Sequence, residues 1–248
     1  MLRSFILITF RILWRNKVTS FVNIFSLSVG ITAFIFIMLY VQHETSYDKF
    51  HVNYDRVYRL EADDWGKLPP IFGTHLKANV PEIEDVALIS CQQMWAYSIR
   101  DPQSKEVECD ITLADSTTFD VFSFQLVRGN IHTALKEPGS LVISESVAKK
   151  MFGDDDPMGK TVFAGIDQLQ ITGVLKDVNL SHFEFDALMS ASSFKKFLPD
   201  RDMNNTTASN WAWSATYLLL NKNVDPKTLE TKLNEELASI NDGILVDT

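Results

Sequence analysis

The feature that most constrains this 248-residue chain is the stretch from Phe21 to Val41, 21 residues without one Asp, Glu, Lys, Arg or His. As a helix rising ~1.5 Å per residue it spans about 31 Å, close to the roughly 30 Å of a bilayer's hydrocarbon core. Its Phe, Ile, Leu and Val side chains each favour insertion by about 0.3–0.6 kcal/mol at the helix centre, which outweighs Asn23 and the few hydroxyls. The core helix of a soluble protein is the alternative, but it is normally shorter or carries a polar edge. The run is also too long for the apolar region of a cleaved signal peptide. It leaves through Leu39-Tyr40-Val41-Gln42-His43-Glu44 with no small-x-small cleavage site. An uncleaved membrane anchor is expected.

Charge sets the expected orientation. Arg3, Arg11, Arg15 and Lys17 precede the span and no acidic residue does, which places that end in the cytoplasm by the positive-inside rule. The chain as a whole is formally −9, so the part beyond the span is more acidic still. Nucleic acid is excluded as a partner, because it requires clustered Lys and Arg. Leu2 to Trp14 reads as an amphipathic interfacial segment or as the start of a long tilted helix. The expected division is an interfacial segment over 1–17, a transmembrane helix over 18–42 and an extracytoplasmic domain over 43–248.

Thr19, Asn23, Ser26, Gly30 and Ala33 fall on one stripe of that helix, whereas the other faces carry bulky Phe, Ile and Leu. Small residues let two membrane helices approach closely, and Asn or Ser can hydrogen-bond across the contact. A lone anchor needs no such stripe, so packing against further membrane helices is expected.

Beyond the span, Val57-Tyr58 fits a strand, and Phe72, Leu76 and Val80 mark a short helix with one apolar face. Val86 to Leu113 reads as two strands that turn at Asp101-Pro102-Gln103-Ser104. That turn would set Cys109 opposite about Ala96, too far from Cys91 for a disulfide. Leu141-Val142-Ile143 reads as a strand, with Ser144 capping a helix from Glu145 to Phe152 that Gly153 ends. A strand runs from Gln170 to Val178. Trp211 and Trp213 alternate in a strand that runs to Leu220. Asp225 then caps a final helix, with Pro226 in its first position and Leu229, Leu233, Leu237 and Ile240 on its buried face.

Between these elements lies an ordered set of short motifs. Ser46-Tyr47-Asp48-Lys49-Phe50 and Arg56-Val57-Tyr58-Arg59 come first. Ala114-Asp115-Ser116, Phe122-Ser123-Phe124 and Arg128-Gly129-Asn130 follow. Ser144 to Gly153, Asp156-Pro157-Met158-Gly159-Lys160, Thr172 to Val178 and Ser181-His182-Phe183 complete the set. In this order, behind a basic-flanked first membrane helix, the chain resembles the N-terminal part of MacB-like and FtsX-like permeases of ABC transporters. The resemblance implies an α+β chain: one N-terminal transmembrane helix and then a two-lobed mixed-sheet extracytoplasmic domain, the MacB-like periplasmic core domain. It also implies four membrane helices in the intact subunit, so a chain with one span reads as a fragment of a longer protein.

No residues nominate an enzyme. Asp154-Asp155-Asp156 lacks the alternation of a calcium loop. Met158-Gly159-Lys160-Thr161 echoes a phosphate-binding loop, but the required earlier glycine position holds Asp154. His43, His51, His75, His132 and His182 are scattered without metal-ligand spacing. No catalytic residue, cofactor or metal is expected, and Asn204-Asn205-Thr206-Thr207 would be glycosylated only in a eukaryotic secretory setting. The resemblance implies a permease subunit of the bacterial inner membrane that relays ATP-driven motion to an outer domain. Its partners would be membrane lipid, an ABC ATP-binding subunit and a second permease copy or homologue. An extracytoplasmic adaptor, peptide or lipoprotein substrate would act outside. The alternatives are a signal-anchored binding or sensor module without an ATPase, and an extracytoplasmic hydrolase.

Overall fold

A computed structural model describes residues 11–61, 69–90, 95–102, 106–165, 167–178, 181–193 and 214–240. The expected interfacial segment lies largely outside the described residues, as do Cys91, Asn204 to Thr207, Trp211 and Trp213. The chain separates into two compact units, Met1–Tyr47 and Asp48–Thr248.

The first unit is built on α1 (Lys17–Glu44). Its most apolar window has a mean hydropathy of 2.3, and the helix is long and apolar enough to cross a membrane. None of its residues is buried, and Phe21 and Phe36 remain 68% and 67% exposed. A helix apolar on every side needs a lipid or protein surround. Its C-terminal carbonyls are satisfied by hydroxyls: Thr45 Oγ1 donates to the Val41 carbonyl at 2.8 Å and Ser46 Oγ to that of His43 at 2.7 Å. Such capping ends the helix without glycine.

The second unit contains the two expected lobes. In the first, β1 (Val57–Leu60), β10 (Ser214–Leu220) and β2 (Ile83–Ser90) form an antiparallel sheet. Helices α2 (Pro70–Asn79) and α5 (Pro226–Ile240) cover one face of it. There Leu60, Leu218 and Leu220 pack with Phe72, Leu76, Val80, Leu229 and Leu237. These include the residues whose helical spacing marked both helices. Asp225 caps α5, its Oδ1 accepting from Lys227 N–H at 3.1 Å.

The second lobe is a closed ring of strands. β4 (Glu106–Ala114), β3 (Trp95–Arg100), β7 (Thr161–Ala164), β8 (Asp167–Leu175), β6 (Ser140–Ser144) and β9 (Ala187–Ser190) pair in that order, and β9 pairs back to β4. The β6–β8 and β4–β9 pairs are parallel and the rest antiparallel. Period-two alternation sends Ile99, Cys109, Ile111, Leu113, Leu141, Ile143, Val162, Leu169, Ile171 and Met189 to the ring's interior. Helix α4 (Glu145–Phe152) adds Val147 and Met151, and the Ser144 hydroxyl accepts from Val147 N–H at 3.2 Å as its cap. A third cluster joins the lobes. Val142 and Leu188 face outward from the ring onto Ala87, Ala215, Tyr217, Leu219 and the aromatic residues around α3 (Thr118–Val121).

Two readings change in detail. The stretch from Val86 to Leu113 lies in three strands, not two, because β2 belongs to the other lobe. The β3–β4 hairpin places Cys109 opposite Tyr97, one position from the expected Ala96. Cys109 is a buried free thiol, pushed up to about 12 by burial and then by Asp186 and Asp110.

The Arg-Gly-Asn motif has a geometric reason. Gly129, in β5 (Leu126–Gly129) against β8, sits at φ +99°, and a Cβ there would stand 2.7 Å from the Thr172 carbonyl oxygen. Gly129→Ala combines backbone strain with a clash against main chain and is expected to lower the unfolding free energy by about 2 kcal/mol or more. Gly30→Ala, with open space around it, leaves denaturant unfolding of the outer domain unchanged.

Candidate functional site

Four of the motif segments, far apart in sequence, meet around Tyr217 of β10. Asp48 sits at φ +58°, a left-handed conformation that Asp tolerates. Its Oδ2 lies 2.7 Å from His182 Nδ1, and its Oδ1 accepts from Ser181 Oγ at 3.1 Å and from His182 N–H at 3.2 Å. A carboxylate only accepts, so His182 Nδ1 carries a proton. His182 Nε2 in turn lies 3.1 Å from the Tyr217 hydroxyl. Beside Tyr217, Arg59 bonds the Glu61 carboxylate, which holds the guanidinium above its ordinary range with a smaller contribution from the Tyr217 hydroxyl. A polar relay therefore runs Asp48, His182, Tyr217, with the Arg59–Glu61 pair next to it.

His51 completes the cluster. Its Nδ1 accepts from Ser123 N–H at 3.0 Å, while Val52 N–H donates to Ser123 Oγ at 2.9 Å. The ring lies tilted against Phe50 and edge-on to Phe122 and Phe124, at centroid distances of 3.9, 5.2 and 5.0 Å. Burial lowers its pKa to about 4 in spite of Asp48, whose Oδ1 is 4.0 Å from Nε2. The ring is therefore neutral at pH 7 with its proton on Nε2, and Nε2 has no partner among the described residues. Around it Phe122 meets Phe183 and Tyr217 edge-on at 4.9 and 5.0 Å, and Phe124 meets Phe185 at 5.5 Å. Each such pair adds about 0.5–1.5 kcal/mol beyond its area.

Asp48, His51, Tyr54, Val57, Arg59, Glu61, Phe122, His182 and Tyr217 line a cavity of about 400 Å³. Ser181 Oγ donates to Asp48, so no histidine nitrogen holds its proton as a base would. Among the described residues no group of three or more His, Cys, Asp or Glu is placed to hold a metal.

The MacB-like periplasmic core domain family matches residues 20–236. The chain belongs to that family. It carries a MacB-like periplasmic core domain behind an N-terminal apolar helix. Solved structures agree on the fold. A domain assigned to a permease protein of Porphyromonas gingivalis superposes with a TM-score of 0.67 at 22% identity, covering 77% of this chain and 87% of that one. The periplasmic region of MacB from Actinobacillus actinomycetemcomitans gives 0.52 at 19%, covering 70% and 74%. A comparison with curated proteins found no match.

Other motif residues of this MacB-like domain hold structure. Asp115 Oδ2 accepts from Leu88 N–H at 3.0 Å and Oδ1 from Thr118 Oγ1 at 2.9 Å, tying α3 to β2, and burial pushes its carboxyl up to about 6. The acidic turn is held by ion pairs, Asp156 to Arg128 at 2.7 Å and Asp155 to Lys160 at 3.8 Å. Thr19, Asn23, Ser26, Gly30 and Ala33 all lie on α1, exposed. The histidines that look scattered in sequence are not all separate, since His51 and His182 converge on Asp48. Irregular spacing hid that meeting. The motif strings were its one visible signal.

The depressed pKa of His51 predicts a pH dependence. The unfolded chain binds its proton near pH 6.5 and the folded chain only near 4, so the stability the neutral ring provides is complete above 6.5 and lost as pH falls toward 4. Asp115, raised by burial, works in the opposite sense over that window, so His51 must be isolated by difference. Wild type should lose up to about 3 kcal/mol relative to His51→Phe between pH 6.5 and pH 4 in denaturant titrations.

Proposed function

We propose that this chain forms the first transmembrane helix and outer domain of a permease subunit that transmits motion, driven by a separate cytoplasmic ABC ATPase, to the extracytoplasmic side. The observation that carries this reading is the place of Asp48 in a MacB-like domain. It follows the last residue of α1 by four positions, and through His182 and Tyr217 it is bonded to the segment before β9 and to β10. Displacement of the helix end would then pull at once on a ring-lobe segment and on the central strand of the other lobe. ATP hydrolysis belongs to the partner; this chain supplies the moving part.

In this reading residues 1–17 lie in the cytoplasm or at its interface, 18–42 span the bacterial inner membrane and 43–248 face outward. The orientation rests on the four basic residues ahead of the span. A reporter active only outside the cytoplasm should be active when fused after Leu60 and equally after Leu220. Activity at one site alone would reveal a further crossing, and at neither would reverse the orientation.

The stripe of Thr19, Asn23, Ser26, Gly30 and Ala33 is the surface proposed to pack against other membrane helices, from this subunit or from a second permease copy. Space around Gly30 is open within the chain, as a contact reserved for a partner helix requires. Gly30→Leu would overpack that contact at a cost of about 1–3 kcal/mol, a loss of assembly of roughly one to two orders of magnitude. Ile35→Leu, off the stripe, should do little. With the ATPase co-expressed, Gly30→Leu should insert normally yet recover less ATPase in pull-downs or uncouple its hydrolysis. Wild-type behaviour of both variants would favour an anchored sensor module instead.

A further inference from the structure

Among the described residues strand β1 is a sheet edge, with a cavity on each face. Its single strand partner among the described residues is β10. Leu220 N–H donates to the Arg56 carbonyl at 3.0 Å, so by antiparallel alternation Tyr58 and Leu60 also bond β10, and the N–H and C=O of Arg59 point away from it. Period two then divides the side chains. Arg59 and Glu61 line the cavity of about 400 Å³ that also holds Asp48. Tyr58 and Leu60, with Leu229, Leu233 and Leu237 of α5, line another of about 340 Å³, which Arg59 and Glu61 also border.

We propose that β1 accepts an extended segment of an envelope partner as an added strand, placing aliphatic side chains against α5 and alternate Lys or Arg side chains against Asp48. Strand addition supplies main-chain hydrogen bonds, and pockets for alternate side chains supply selectivity. Two carboxylates, Asp48 and Glu61, face one guanidinium in the polar cavity, and the chain carries 32 acidic against 23 basic residues. The shortness of β1, four residues, limits indiscriminate pairing. A second copy's β1 would bring an Arg59 already held by Glu61 and Tyr217, so self-pairing is the competing occupant.

The inference deepens the permease reading by naming a partner chemistry, but its test needs no ATPase, so its failure leaves the transmission reading standing. The probe is a labelled, end-blocked peptide of alternating Leu and Lys, titrated by fluorescence anisotropy onto the full chain in phosphatidylcholine nanodiscs, with empty nanodiscs as reference. Two further peptides carry backbone N-methyl groups on all Leu or on all Lys residues. Only one set of N–H groups can face β1. One methylated peptide should therefore lose about tenfold or more in affinity while the other stays within about twofold. A Leu-Glu peptide should bind at least about tenfold more weakly than Leu-Lys. Equal effects of the two methylations, indifference to Lys or Glu, or no saturable binding above empty nanodiscs would each overturn the proposal. Dimerisation of the chain that Arg59→Pro abolishes would overturn it too, assigning the edge to a second copy.

Discussion

The parallel pairing of β9 with β4 is the contact on which the outer domain depends. It closes six strands into a ring, and only a closed ring gives Ile111, Leu141, Ile171 and Met189 one shared interior. Asp186 secures the closure from both sides. Its N–H donates to the Asp110 carbonyl at 2.9 Å, its carboxylate accepts from Asp110 N–H at 3.1 Å, and its carbonyl accepts from Ser144 N–H at 2.9 Å. With β9 pinned, the segment just before it is held, and that segment carries Ser181, His182, Phe183 and Phe185. The relay thus owes its geometry to a strand of four residues.

This explains which parts were legible in the sequence. Helices α1, α2, α4 and α5 announce themselves locally, through an uncharged run, the Phe72-Leu76-Val80 spacing, the Ser144 cap and the Asp225-Pro226 start. The two-lobed mixed-sheet architecture followed from the ordered motifs, which the matched family bears out over residues 20–236. Ring closure did not show. Ile111 pairs with Ala187 across a long interval of chain, and nothing near either residue signals the other. β9 is too short to display alternation, and it runs directly into the 3-10 turn Ala191–Ser193. The hairpin register differs by one position because Arg100 pairs with Glu106, half a residue further along than a turn centred within Asp101-Pro102-Gln103-Ser104 implies.

The site was half legible for a related reason. Its motif strings were recognised as family marks, but their joint role is purely tertiary: Asp48, Ser123, His182 and Tyr217 each belong to a different element. His51 shows the cost of that arrangement. Held at Nδ1 by Ser123 N–H and buried among three phenylalanines, it is kept neutral because burial penalises the charged imidazolium. The aromatic residues supply bulk cohesion, and the polar relay supplies direction, since its bonds require particular partners at particular distances.

These two kinds of contact respond differently to displacement. Edge-to-face aromatic contacts weaken gradually and let rings slide. The Asp48–His182–Tyr217 chain is less forgiving, because a hydrogen bond such as that between His182 Nδ1 and Asp48 Oδ2 at 2.7 Å is lost within about an ångström of separation. Asp48 Oδ2 is engaged by His182, and Oδ1 stands just beyond bonding reach of the unpartnered His51 Nε2–H. Asp48, the first residue of the second unit, thus holds Ser181 and His182 by bonds that exist only near their present geometry.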